Sequence, residues 1–266
     1  MRYVRRAGFR NRSSVTDSFK KMLLKNNVII DESLKESGSE LCHFYIYTDD
    51  PLYPEVEKFI NEYGSFSMLF TEFNNDEFNN AKWLTMRMVW YYIYYDKAVE
   101  AYYKENHKEM IGIRKEPNFG NNRHFTSLYS LDDELLMSVH MSEMIGLQQF
   151  TGIEIRDVMN LTRKEISNNT KWLRITSKLP TAFSLDYNEI QEKIIHKESQ
   201  KEDYILTGKE LYLNHSAFEE VHNDVMLTSD YLNSRRGLII VSQKFYRFII
   251  ENKLGRALIF EPIFLV

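Results

Sequence analysis

Two stretches of this chain share one pattern, an apolar strand ending in serine, an amphipathic helix and a second strand, and this repeat limits the folds open to it. The first copy is FTSLYSLDDELLMSVHMSEMIGLQQFTGIEIRDVM, residues 125–159. The second is LIIVSQKFYRFIIENKLGRALIFEPIFLV, residues 238–266. From Ser130 to Gly152 is 22 residues, and from Ser242 to Ala257 is 15. The difference of seven is close to two helical turns, so the sequence predicts a longer helix in the first copy with the same exit direction. Ser130 reads as that helix's N-cap with Asp133 as capping-box partner, and Leu131, Leu135, Val139 and Ile145 share a face. In the second copy Phe245, Phe248 and Ile249 share a face and the helix stops near Gly255. Strands joined by a helical crossover are expected to be parallel. The predicted class is therefore α/β, with α+β as the alternative: a helix-covered mixed sheet with two related strand–helix–strand units in the C-terminal half.

Ahead of the repeat, Leu41–Thr48 reads as a strand, Tyr53–Tyr63 as a helix with Pro54 near its start, and Ser65–Thr71 as a second strand. Asn74 or Asn75 caps a helix predicted over Asp76–Met88, with Phe78, Ala81 and Leu84 or Thr85 on one face. Trp90–Tyr95 fits a buried strand or the middle of a longer helix. The Pro117, Gly120 and Asn-containing stretch over 115–123 marks a linker. The expected divisions are a basic arm at 1–25, an α/β region at 26–115 and the repeat-containing domain at 116–266. Within the last, Trp172–Ser177 and Asp224–Thr228 read as strands, and Tyr204–Leu206 and Glu210–Leu213 as a hairpin around Thr207–Gly208. Asp186–Lys201 reads as an exposed helix or a mobile insertion.

With 266 residues and 43% hydrophobic side chains, the chain can bury a sizeable core, which excludes global disorder. Its longest uncharged apolar runs, such as MVWYYIYY at Met88–Tyr95, are half of what a bilayer span needs. No apolar run follows the first arginines, so a signal peptide is not expected and the expected location is cytoplasmic. The single cysteine, Cys42, excludes an intramolecular disulfide and reads as a core thiol. Residues 1–25 carry a net charge of +7 and the rest of the chain −11. The arm reads as solvated. The acidic remainder argues against nucleic acid as the main ligand.

The residue types that carry chemistry form no catalytic pattern. Ser130 and Ser242 sit at strand-to-helix junctions, where capping accounts for both. His215 and His222, with Glu219, Glu220 and Asp224 nearby, have a spacing that would place both rings on one side of a helix, yet no third metal ligand is fixed. His140 reads as a packed or half-exposed residue. Asp49/Asp50 and Asp132/Asp133 suit turns and helix starts. Tyr91, Tyr92, Tyr94, Tyr95, Tyr102 and Tyr103 suit a core, with one or two left for an interface. Neither an enzyme, a metal nor a cofactor is expected.

The ending Ile239-Ile240-Val241-Ser242-Gln243-Lys244-Phe245, closed by Ile259-Phe260-Glu261-Pro262-Ile263, resembles the C-terminus of immunity proteins from bacterial polymorphic-toxin systems, in the groups known as Imm11-like and double-CxxCG. Thr151-Gly152-Ile153-Glu154-Ile155 is similar to an internal segment of those proteins, and Trp172–Pro180 to the strand and Leu-Pro that follow it. The resemblance covers roughly residues 120–266. It lacks the CxxCG motifs, since 181–210 contains no cysteine. The resemblance implies neutralisation of a cognate toxin by stoichiometric binding, without catalysis and without a membrane. A basic nuclease would be drawn to the acidic body by electrostatic steering. The exposed acids then offered as partner contacts are Asp132, Asp133, Glu134, Glu219, Glu220 and Asp224. The alternative is a small-molecule or nucleic-acid-binding module using the basic arm; a third is a metal-dependent hydrolase using His215, His222 and nearby acids.

Overall fold

A computed structural model describes residues 2–36, 39–88, 96–107, 109–120, 123–128, 134–196, 201–206, 210–219, 221–232, 237–256 and 258–266. The chain forms two compact units, the first comprising Met1–Phe78 with Glu189–Gln191 and Leu206–Glu210, the second the remainder. The division thus falls near Phe78 rather than at the Pro117–Gly120 stretch.

Residues 2–25 are not a solvated arm. They form β1 (Arg2–Asn11) and α1 (Ser14–Lys25), followed by β2 (Ile30–Glu36), β3 (Ser39–Tyr47), α2 (Tyr53–Tyr63) and β4 (Gly64–Glu72). The sheet order is β2-β3-β1-β4, antiparallel throughout, with the basic segment supplying an inner strand. Each helix links two strands that flank a third, the split βαβ arrangement. Alternation decides what is buried. Ala7 and Phe9 of β1 and Cys42, Phe44 and Ile46 of β3 pack under Phe19, Leu23, Val56 and Ile60 of the helices. Phe19 stacks on Phe59 at 3.5 Å, and Phe9 meets Phe19 edge-on at 5.3 Å. Ser13 caps α1 in a capping box with Thr16.

Asn74 and Glu77 cap α3 (Asn75–Asn80) reciprocally. That helix ends eight residues short of the Met88 expected, because 83–88 is β5 (Trp83–Met88). The second unit continues through α4 (Lys97–Glu105), β6 (Ile111–Ile113), β7 (Phe125–Leu128), β8 (Glu134–Ser138), α5 (Val139–Gln148), β9 (Ile153–Asn160), β10 (Glu165–Ile175), β11 (Lys178–Leu179) and β12 (Ile190–His196). It ends with β13 (Lys201–Leu206), β14 (Leu211–Leu213), a 3-10 turn at His215–Phe218, β15 (Val225–Thr228), β16 (Tyr231–Leu232), β17 (Ile239–Ser242), α6 (Gln243–Glu251) and β18 (Leu258–Leu265). Asp186–Lys201 therefore contains a strand rather than a helix. β13 and β14 belong to different sheets instead of pairing as a hairpin. The class is mixed α/β, mostly sheet.

The repeat is real but shifted by eight residues. Ser130–Asp133 lie outside the described residues, while 134–138 is a strand and Ser138 caps α5. The two caps match closely. Ser138 (φ −67, ψ 153) accepts from Met141 N, and Ser242 (φ −69, ψ 159) accepts from Phe245 N. The exit strand starts fifteen residues after Ser138 and sixteen after Ser242, so no two-turn length difference remains.

Both copies also share a sheet plan. One sheet runs β6-β9-β10-β8-β7, and the other carries β14-β18-β5-β17-β15 with β11 outermost. In each, the edge strand is parallel to the exit strand, the centre is antiparallel to both its neighbours, and the last strand is antiparallel to the capping strand. The chain order matches as well: β5-β6-β7-β8-α5-β9 against β10-β14-β15-β17-α6-β18. On that alignment each copy's first strand lies at the centre of the other copy's sheet. β5 sits between β17 and β18, and β10 between β8 and β9.

Reciprocal joints accompany the exchange. In the first copy Ser138 N donates to the His124 carbonyl, and the Ser138 hydroxyl lies 3.0 Å from His124 Nδ1. In the second, Ser242 N donates to the Asp224 carbonyl, and its hydroxyl donates to Asp224 Oδ1 at 2.8 Å. The first copy's helix-to-strand loop meets the second's hairpin through Thr151 and Asp224, and the second copy's Gly255 bridges Arg123. Gly152 (φ +83) lies so close to the Val225 carbonyl that a Cβ would come within 2.1 Å of its oxygen. Gly152→Ala should thus lose at least about 2 kcal/mol in urea denaturation, from left-handed strain plus the clash. Gly120→Ala, which meets nothing within 4 Å, should be near neutral; equal effects would count against the joint.

Candidate functional site

Side chains opposite the first unit's core form rows fixed by strand register. His43, Gly8 and Phe66 lie across from one another, as do Tyr45, Arg6 and Met68, then Tyr47, Val4 and Phe70. Gly8 lets the Phe66 ring cover β1, since a Cβ there would stand 2.4 Å from Phe66 Cε1. His43 and Phe66 consequently meet across it at 5.0 Å. Tyr45 and Met68 are 58% and 53% exposed, which makes the middle row the most accessible apolar part of the face.

The charges on this face are unevenly balanced. At one end Arg2 holds Asp49 through two hydrogen bonds of 2.7 and 3.2 Å and covers the Tyr47 ring at 3.8 Å. Its hydrogen bond to Asp49 raises the Arg2 pKa, and one to Glu72 raises that of Tyr47. At the centre, the Arg6 guanidinium lies 5.8 Å from both the Tyr45 and Phe66 rings. Among the described residues neither Arg6 Nε nor His43 Nε2 has a hydrogen-bond partner, although both atoms are out of solvent. A polar atom in that position is costly unless something bonds to it. Arg5, on the opposite face, donates to Glu57 of α2 at 2.9 Å.

Of the acids proposed from sequence, Glu134, Glu219 and Asp224 are among the described residues, and each has a different setting. Asp132, Asp133 and Glu220 lie outside the described residues. Glu134 is committed to the second unit's core, accepting from Tyr103 Oη and Trp172 Nε1, each at 2.9 Å. Asp224 is mostly buried and holds Thr151, Ser242 and Lys244. Glu219 is exposed and faces His215 at 3.6 Å. His215 and His222 do not share a helix, since only His215–Phe218 is helical there. Among the described residues no group of three or more His, Cys, Asp or Glu is placed to hold a metal ion. His140 is exposed, beside His124 at 5.5 Å between ring centres. Tyr91, Tyr92, Tyr94 and Tyr95 lie outside the described residues, whereas Tyr103 is buried. Among the described residues no helix is long and apolar enough to cross a membrane.

An open groove of about 550 Å³ runs beside α6, with Phe150 and Phe248 flanked by Lys244, Arg247 and Glu251. Lys244 is already engaged, over the Phe150 ring at 4.9 Å and 3.6 Å from Asp224. The groove is open and lined mostly by polar and charged side chains, among them Gln148, Gln243 and Asn252, unlike the enclosed and mainly apolar sites that bury small ligands. Sequence reading missed the first unit's face because it took 1–25 as an arm. The usable signal was the period of two in Arg2, Val4, Arg6, Gly8 and Arg10, opposite Ala7 and Phe9.

The supposed linker is also anchored. Burial pushes the Glu116 carboxyl up, but Asn160, Ser167 and Thr170 donate to it at 3.0, 2.8 and 2.8 Å, and its pKa lies below the ordinary value. A carboxyl depressed on folding contributes stability that is complete above its unfolded pKa and lost as pH falls through the folded one. Wild type should therefore exceed Glu116→Gln in urea stability at neutral pH, with the gap closing at acid pH. A gap independent of pH would contradict this.

Comparison with protein-family models, with curated proteins and with solved structures finds no match to this chain.

Proposed function

We propose that the chain is an immunity-type protein that neutralises a cognate bacterial toxin by stoichiometric binding in the cytoplasm, without catalysis. The observation that carries this reading is the middle row of the first unit's sheet, where Tyr45 and Met68 stand more than half exposed beside Arg6. Tyr and Arg dominate binding hot spots, and Met is enriched at interfaces. Much of the polarity that suggested chemistry or contact is spent on architecture, in the caps Ser138 and Ser242, the joint residue Asp224 and the core acceptor Glu134. The segments behind the family resemblance are explained in the same way, since Thr151-Gly152 joins the two repeat copies and Ser242 caps α6 and holds Asp224 within its own copy. The excess of acid beyond residue 25 supports fast approach of a basic toxin, which acts at range and needs no acid in the contact itself.

The test is co-expression with a toxic domain encoded by a neighbouring gene. Growth should be restored, and titration of a catalytically inactivated form of that domain should give a one-to-one complex. Continued toxicity together with no complex would sink the reading.

A further inference from the structure

We infer that the partner docks on the open face of the first unit's sheet, centred on Tyr45, Arg6 and Met68, and presents a carboxylate set among apolar side chains. This rests on the toxin-binding reading and names the surface and chemistry it would use.

Two independent features of the face define the complement. Tyr45 and Met68 leave large apolar surface in water on a regular sheet, at the two ends of one cross-strand row. Burying such side chains against a partner is favourable in proportion to the apolar area removed from water. Between them, Arg6 Nε is shielded from water and has no hydrogen-bond partner among the described residues, and the same holds for His43 Nε2 one row away. A carboxylate placed over the row would pair with the accessible edge of the Arg6 guanidinium, in surroundings that docking makes dry enough for a charge-assisted bond to be strong. Arg2 is already paired with Asp49, and Glu72 hydrogen-bonds Tyr47, whereas among the described residues no ion pair holds Arg6.

Exposed rings beside arginine on an open four-stranded sheet also suit single-stranded nucleic acid. Residues 1–78 hold thirteen acidic against ten basic residues, however, and phosphate binding requires net neutralisation of several charges. The charge balance favours a protein.

The experiment measures binding of the inactivated toxin domain by calorimetry to wild type, Tyr45→Ala, Met68→Asp, Arg6→Ala and Leu147→Asp. Leu147 is 82% exposed on α5 in the second unit and serves as the control for an exposed apolar residue outside the face. The three face variants should bind at least about 30-fold more weakly, as hot-spot truncations do, while keeping wild-type thermal melts; Leu147→Asp should bind as wild type. Face variants that fold and bind like wild type would overturn the docking site while leaving the toxin-binding reading intact. Failure of wild type itself to bind would instead remove that reading and this inference together. A labelled oligo(dT) bound by wild type in low salt and released by Arg6→Ala would assign the face to nucleic acid and overturn the protein partner.

Discussion

The exchange of β5 and β10 is the constraint on which the second unit depends. A split βαβ unit leaves a gap between its two parallel strands, and a third, antiparallel strand must fill it before the backbone hydrogen bonds close. Here each gap is filled by the strand that leads the other repeat copy. Leu84 of β5 is fully buried opposite Val241 and Pro262, and Trp172 of β10 is buried opposite Leu136 and Arg156. Neither copy has a closed sheet of its own. The joints at Asp224 and Gly255 then hold each copy's loop against the other's hairpin.

That interlocking explains what could be read locally and what could not. α2 occupies the expected 53–63, and Asn74 caps α3, because Pro and Asn act through their own backbone neighbourhood. The second repeat's cap at Ser242 and buried Phe245, Phe248 and Ile249 were equally legible. The first copy was misaligned because Leu135, Leu136 and Met137 are all buried, so β8 lacks the alternation that marks a strand. The same holds for β5, whose first four residues are buried and whose partners lie 153 to 178 residues further along the chain. Its apolar run fitted a helix as well as a strand.

The candidate surface was hidden for a different reason. A count of charges made 1–25 look like one basic object. The strand instead sorts those charges by parity: Arg5 turns to α2, while Arg2 and Arg6 reach the other face. The acids selected as contacts had the opposite fate, since Glu134 and Asp224 are drawn inward by donors that lie far away in the sequence. Architecture is thus concentrated in the duplicated segments, and the proposed docking surface lies in a region outside the repeat.

The central structural claim is that the two copies of the second unit cannot come apart. Hydrogen exchange on Leu84→Ala tests it most directly, because Leu84 lies in the strand that leads the first copy yet fills the second copy's sheet. Removing this fully buried leucine should cost about 2–5 kcal/mol. The account expects the slowest amides of β9 and of β18 to lose the same amount of protection, as one cooperative unit. Loss confined to β17 and β18, with β9 as protected as in wild type, would contradict it.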